Sequence, residues 1–246
     1  MQSETASASF ADMVDLIHWH SFDGKMLTPE STIVDLGANR GEFLTKVSNT
    51  FGCSNLVAVE PNPELFKELA ERSDLIAINA AVGGFRGKTS FSIDPNDLAS
   101  RVVEGGTGPS TVTVELITLD DVFERAGVTK VDLLKIDIEG QEIPMLDAVS
   151  DEVLRNIAQI TIEFHDFCGL VPKKEVKRLL ARLQGLGFYV ARMSRVGHQD
   201  TWLVNTKFRP IGLGMKAKIR LLKYSRGFMR VWHKLSKGSN WHLAYD

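Results

Sequence analysis

A strand that runs directly into a glycine turn and a helix leaves few folds open. Residues 32–41, T-I-V-D-L-G-A-N-R-G, have that form. Ile33, Val34 and Leu36 suit a buried strand, Gly37 and Gly41 bracket the turn, and Glu42 to Val47 reads as the start of a helix. Such a turn offers free backbone N–H groups and a close backbone approach to a ligand. Asp35 and Asn39 add polar groups that orient one. A second apolar strand, Leu56 to Val59, ends on Glu60, followed by Pro61-Asn62-Pro63. Glu60 follows Gly41 by about the 20 residues at which an acidic side chain caps a ribose in a nucleotide-binding βαβ unit.

The turn reads G-A-N-R-G, so the G-x-G-x-x-G phosphate pattern is absent. That favours a nucleoside ligand without phosphate, and S-adenosyl-L-methionine fits, its methionine end against the glycine turn. Here the chain resembles the FkbM-type family of S-adenosylmethionine-dependent methyltransferases. The resemblance rests on D-L-G-A-N-R-G at Asp35 to Gly41, E-P-N-P at Glu60 to Pro63, L-L-K-I-D-I-E-G-Q-E at Leu133 to Glu142 and I-E-F-H at Ile162 to His165. It covers residues 31–206 and implies one α/β domain of Rossmann-like, class I type. The implied sheet is seven-stranded and mostly parallel, with helices on both faces. It also implies O-methylation of a hydroxyl on a sugar, glycan, lipid or polyketide-like product. Asp35, Gly37, Asn39, Gly41, Glu60, Pro61 and Asp137 are the expected cofactor residues. Asn79, Ala80 and Ala81, past the third strand, are expected beside the adenine.

The chemistry gathers at two later strand ends. Val131 to Ile138 is strongly strand-like, yet it carries Lys135 and Asp137, with Glu139 just beyond. Charges in a central strand are costly unless paired. A Lys135–Asp137 or Lys135–Glu139 pair would be a purely structural answer, but the position at the ligand crevice favours a functional one. Ala158 to Phe164 ends in Glu163-Phe164-His165-Asp166, and strand geometry puts Glu163 and His165 on one face. A neutral His165 is the expected general base, with Glu163 or another carboxylate orienting it. Asp137 and Glu139 would hold the acceptor or the methionine amine, and Lys135 would ease formation of an alkoxide. Glu142, Ser100 and Arg101 are further acceptor candidates. The segment Asp94 to Pro109 that carries the last two, rich in Gly, Ser, Asp and Pro, reads as a loop. A divalent metal on Asp137, Glu163 and His165 is the less favoured alternative.

Phe10, Met13, Val14 and Ile17 have helical spacing, so residues 1–30 are expected to form a helical cover, with His18 and His20 as helix-end residues. Gly83, Gly84 and Gly87 are expected to punctuate a hairpin whose second strand is Thr89 to Ile93. From Lys207 onward ten Lys/Arg face one acid, Asp246, a net of +9 that leaves −11 for the rest of a chain totalling −2. The segment 207–246, with Leu221, Phe228 and Trp232 among its basic residues, reads as a basic amphipathic tail. It would meet a membrane surface, an anionic carrier, another subunit or the acidic body. A homo-oligomer is compatible with this. Nucleic acid is disfavoured because aromatic–basic interleaving is confined to the tail. The rival function is a catalytically inactive cofactor-binding scaffold, membrane-peripheral through that tail. No run of about 18 apolar residues marks a membrane span. The N-terminus lacks a signal-peptide pattern. Cys53 and Cys168 form no metal motif, so a cytoplasmic, reducing location is expected.

Overall fold

The computed structural model describes residues 14–94, 100–103, 110–195 and 197–224. The described chain opens with strands β1 (Asp15–Ile17) and β2 (His20–Phe22), an antiparallel pair where a helix was expected. The chain reverses at His18 and Trp19, both at positive φ (45° and 66°). The helical spacing is overridden by distant partners. The Ser21 amide and hydroxyl donate to Asp200 at 3.1 and 2.7 Å, and the Asp23 amide donates to Gln159 Oε1 at 3.0 Å. Phe22 is buried between Phe43 and Phe51. Phe10 to Met13 lie outside the described residues.

Next come β3 (Thr32–Leu36), α1 (Glu42–Phe51), β4 (Asn55–Val59), α2 (Pro63–Ala70) and β5 (Ile76–Ile78). Pro63 opens α2 and the Asn62 side chain caps it. Four strands then leave the main sheet: β6 (Ala81–Val82), β7 (Gly87–Ser92), β8 (Arg101–Val103) and β9 (Thr111–Ile117). Their order is β6-β9-β7-β8, so β9 separates β6 from β7 and the hairpin expected at Gly83 to Ile93 does not form. The glycines serve packing instead, since a Cβ on Gly84 would press on the Pro144 carbonyl at 2.8 Å. The expected loop 94–109 contains β8; residues 95–99 and 104–109 lie outside the described set.

The chain continues with α3 (Leu119–Ala126), begun by a Thr118–Asp121 capping box, then β10 (Leu133–Ile136), α4 (Glu142–Ala148) and α5 (Asp151–Arg155). It closes with β11 (Gln159–Ile162), α6 (Lys173–Gly185), β12 (Phe188–Arg192), β13 (Thr201–Asn205) and helix α7 over 213–224. The main sheet has seven strands in the order β12-β13-β11-β10-β3-β4-β5. β13 runs antiparallel to both neighbours, and the other pairings are parallel.

Strand alternation divides the core between the two faces. Val34, Leu36, Leu134 and Ile136 join α3, α4 and α6 on one face. Ile33, Leu56, Leu133 and Trp202 join α1, α2 and the β1–β2 hairpin on the other. Ile219 and Leu222 of α7 belong to that second cluster, so the core extends past the boundary expected at 207. Arg209 pairs with buried Asp23 at 3.3 Å. Residues 225–246 of the expected tail lie outside the described residues. No helix among the described residues is long and apolar enough to cross a membrane.

Candidate active site

Asp35, Lys135 and Thr161 sit side by side in register across β3, β10 and β11. The parity that sends Ile33 and Leu133 to the α1 face sends Asp35 and Lys135 there too. Past the strand ends that edge opens into a cavity of about 1010 Å³. Ordinary ligand pockets run to roughly 300–1,000 Å³, so this one has room for a cofactor and a second molecule.

At the end of the cavity formed by β3 and β4, Gly37 (φ 76°) is the residue the turn requires. A Cβ there would collide with the Asp137 carbonyl. The turn's amides are not free, however. Those of Gly37 and Ala38 both donate to Val59 O, at 3.0 and 3.1 Å, and that of Gly41 to Ala38 O at 2.8 Å. The Asn39 amide donates to Glu60 Oε2 at 2.8 Å, and the Asn62 amide to Glu60 Oε1 at 2.8 Å. The turn therefore fixes Glu60 instead of presenting N–H groups to a ligand. Burial raises the Glu60 pKa to about 7, against the opposing pull of those two amides. Asp35, Gly37, Asn39, Glu60, Pro61, Ala80 and Ala81 line the cavity. Gly41 and Asn79 do not. Gly41 makes room for Leu69 and Arg72, and the Asn79 amide ties to the carbonyls of Glu60 and Pro61.

The charged residues divide into two groups that share Asp137. Lys135 Nζ lies 3.0 Å from Asp35 Oδ1, 2.8 Å from Gly37 O and 3.6 Å from Asp137 Oδ2. Asp35, one strand away, is therefore its main partner, not Asp137 or Glu139. Burial opposes the Lys135 charge, yet Asp35 and Asp137 outweigh it and hold the pKa above the usual lysine value. Burial likewise opposes ionisation of Asp137, and Lys135 and His20 more than offset it, so Asp137 stays ionised.

His165 is the centre of the other group. Its Nδ1 is 2.8 Å from Glu142 Oε1, and its Nε2 is 3.2 Å from Glu139 Oε2 and 3.7 Å from Asp137 Oδ1. Burial disfavours its charge, but the bonds to Glu139 and Glu142 prevail and raise the pKa to about 11. The neutral base expected from sequence is thus an imidazolium near neutral pH. Glu142, expected among the acceptor contacts, is fully buried, bonded to His165 and the Gly140 amide, and does not line the cavity. Glu163 lines the cavity, and burial together with Asp137 raises its pKa to about 7. Ser100 and Arg101 also line the cavity, although Ser100 Oγ already accepts from the Asp94 amide at 2.8 Å.

Sequence reasoning missed His20. The hairpin delivers it, buried, with Nδ1 3.3 Å from Thr161 Oγ1 and Nε2 3.8 Å from Asp137 Oδ2. No local signal marks it, because its partners lie more than a hundred residues away. Trp19, Phe167 and Leu170 add exposed apolar surface to the cavity lining. The described non-glycine residues at positive φ are His18, Trp19, Asn39 and Glu139, and all four line this cavity. Backbone strain of that kind concentrates at functional sites. Among the described residues two groups could hold a metal ion: His20, Asp137 and Glu163, or Asp137, Glu139 and His165. The set expected from sequence, Asp137, Glu163 and His165, is split between them.

Comparison with known proteins follows the same lines. The methyltransferase FkbM domain matches residues 35–190. The hexuronic acid methyltransferase AglP of Haloferax volcanii is 26% identical over 171 residues, covering 68% of this chain and 67% of that protein. The 31-O-demethyl-FK506 methyltransferase FkbM of Streptomyces tacrolimicus is 27% identical over 223 residues, covering 76% and 82%. A crystal structure of methyltransferase FkbM from Methylobacillus flagellatus aligns with a TM-score of 0.50 at 13% identity. That alignment covers 72% of this chain but only 44% of the solved one.

Proposed function

This chain belongs to the FkbM family of methyltransferases, and from that premise we propose that it methylates a hydroxyl of a sugar, glycan, lipid or polyketide-like product, using S-adenosylmethionine. The observation that carries the cofactor reading is Glu60: a buried carboxylate at the end of β4, clamped by two amides and facing the cavity of the β3 turn. Each of its oxygens keeps a lone pair for a ribose hydroxyl. Ala80, Ala81 and Val82 give an apolar wall suited to a purine. Asp35 Oδ2 is buried without a hydrogen-bond partner, which suits the ammonium of a methionine tail. The residues present therefore fit the cofactor.

S-adenosylmethionine, when bound, supplies a methyl group already activated on a sulfonium. Held by Asp35 and Glu60, it would supply that methyl to the acceptor oxygen and be left as a neutral thioether. The chain's own task is to align the hydroxyl, exclude water and take its proton. We assign the proton to Glu163, because a carboxylate with a pKa of about 7 accepts a proton and releases it again near neutral pH. His165, as an imidazolium, holds Glu139 and Glu142 in place. Relatives named for a hexuronic acid and for 31-O-demethyl-FK506 support a hydroxyl-bearing acceptor.

Calorimetric titration with S-adenosylhomocysteine tests the reading. Binding should weaken at least about tenfold in Glu60→Ala, the loss of two charge-assisted bonds. No binding by the wild type, or equal binding by the variant, would overturn it.

A further inference from the structure

We propose that Asp137 Oδ1, Glu139 Oε2 and His165 Nε2 form a binding site for a divalent, oxygen-preferring cation, with Glu142 as the carboxylate that orients the histidine. This rests on the hydroxyl-methylation reading above and adds a resident ion to it.

The first support is geometric. Mg²⁺ or Mn²⁺ holds its ligands about 2.1 Å away at right angles, so neighbouring ligand atoms lie about 3.0 Å apart. Here Nε2 is 3.2 Å from the Glu139 oxygen and 3.7 Å from the Asp137 oxygen. One ligand atom from each of the three residues lies within 4.8 Å of the other two, a cluster that contracts to one face of an octahedron around an ion. Asp137 divides its duties: Oδ2 faces Lys135 and His20 at 3.6 and 3.8 Å, which leaves Oδ1 directed at the proposed site. That favours this set over the alternative with His20 and Glu163.

The second support lies behind the histidine. Metal-bound imidazoles characteristically donate their other N–H to a carboxylate, which fixes the tautomer and ring plane. His165 Nδ1 meets Glu142 Oε1 at 2.8 Å, and Glu142 is fully buried and further anchored by the Gly140 amide at 2.9 Å. Its second oxygen is buried with no hydrogen-bond partner, an expense that a neutral structural histidine does not call for.

The third is strain. Glu139 sits at φ 48° and Gly140 at φ 101°, a turn that folds the Glu139 carboxylate back onto His165. A left-handed glutamate costs on the order of 1–2 kcal/mol, and it converges here with two other carboxylates on one imidazole. Lys135 lies 3.6 Å from Asp137 but closer to Asp35 and Gly37 O, and an imidazolium at His165 supplies only one further positive charge. A dication that displaces the Nε2 proton would supply two. Its remaining positions face the cavity, so the acceptor class is one with adjacent oxygens: the hydroxyl to be methylated beside a second hydroxyl or a carboxylate. Binding to the ion would acidify that hydroxyl and ease its proton onto Glu163.

The test is titration of chelator-treated full-length protein with MnCl₂, following free Mn²⁺ by electron paramagnetic resonance. One saturable site is expected. Glu139→Gln and His165→Asn should each weaken it by at least about 30-fold and Glu142→Gln by about 10–100-fold, with Glu163→Gln within about threefold of wild type. Should His165→Asn fail to fold, Glu139→Gln, whose side chain lies nearer solvent, carries the same test. No saturable binding up to about 1 mM would overturn the proposal, as would equal binding in Glu139→Gln, or a loss in Glu163→Gln matching that in Glu139→Gln. S-adenosylhomocysteine titration of the same metal-free samples separates the two readings. Nucleoside binding without a manganese site sinks only the cation, and absence of nucleoside binding sinks the methylation reading.

Discussion

Glu60 and Glu163 each have a pKa near 7, where an ordinary glutamate has 4.5, and burial is the first cause for both. The folded state therefore holds these protons more tightly than the unfolded chain. The stability this confers is complete below about pH 4.5 and is lost as pH rises through about 7. The Glu60 shift corresponds to roughly 3 kcal/mol at 1.36 kcal/mol per pKa unit, and that of Glu163, partly open to the cavity, to less. Without ligand, the melting temperature should fall by several degrees between pH 5 and pH 8, and Glu163→Gln should flatten part of that fall; scanning fluorimetry across pH reads it. An unchanged slope in the variant would show that Glu163 ionises normally. The same group predicts that kcat/KM rises with pH to a plateau above about 7, and that Glu163→Gln loses about 100-fold or more in rate while still binding S-adenosylhomocysteine. A variant that retains most of the rate would remove Glu163 from the proton's path.

At the scale of elements, two devices position the site. One is the β3 turn. Gly37→Ala meets both a positive φ and the Asp137 carbonyl, so it should cost several kcal/mol or prevent folding, as denaturant titration would measure. Near-native stability would mean that the turn can shift away from β10. The other is the β1–β2 hairpin. Its strands have three residues each, too few to persist alone. It is held by the Ser21–Asp200 and Asp23–Gln159 hydrogen bonds and by burial of Phe22. Asp200→Ala removes the carboxylate that accepts from the Ser21 amide and hydroxyl, at a cost of about 1–3 kcal/mol, and amide exchange at 18–23 should accelerate accordingly. Unaltered exchange there would show that apolar packing alone seats His20.

Across the whole molecule, the two faces of the sheet have different work. The face of α3, α4 and α6 packs an apolar core of aliphatic and aromatic side chains, whereas the face of α1 and the hairpin carries Asp35, Lys135 and Thr161 toward the cavity. That polar face needs cover, and part of it comes from α7, where Ile219 and Leu222 are 4% and 5% exposed. Ile219→Ala should therefore destabilise the protein by about 2–4 kcal/mol. A tail hanging free of the body would give no change in the denaturation midpoint.

The sequence by itself determined the parallel strands, their glycine turn and the carboxylates at their ends. Those features are local: alternation, turn residues and fixed spacing act within a few residues, and Asp35, Glu60, Asp137 and Glu163 all reach one edge because parallel strands share a direction. The tertiary structure alone decided which charges meet. Lys135 chose Asp35 because β3 lies beside β10, a matter of strand order that no spacing encodes. His165 became a cation because Glu139 and, at the start of α4, Glu142 both bond to its ring, and pKa values depend on three-dimensional neighbours. The first residues of the described chain form a hairpin because their hydrogen-bond partners are Asp200 and Gln159, beyond the reach of any local pattern.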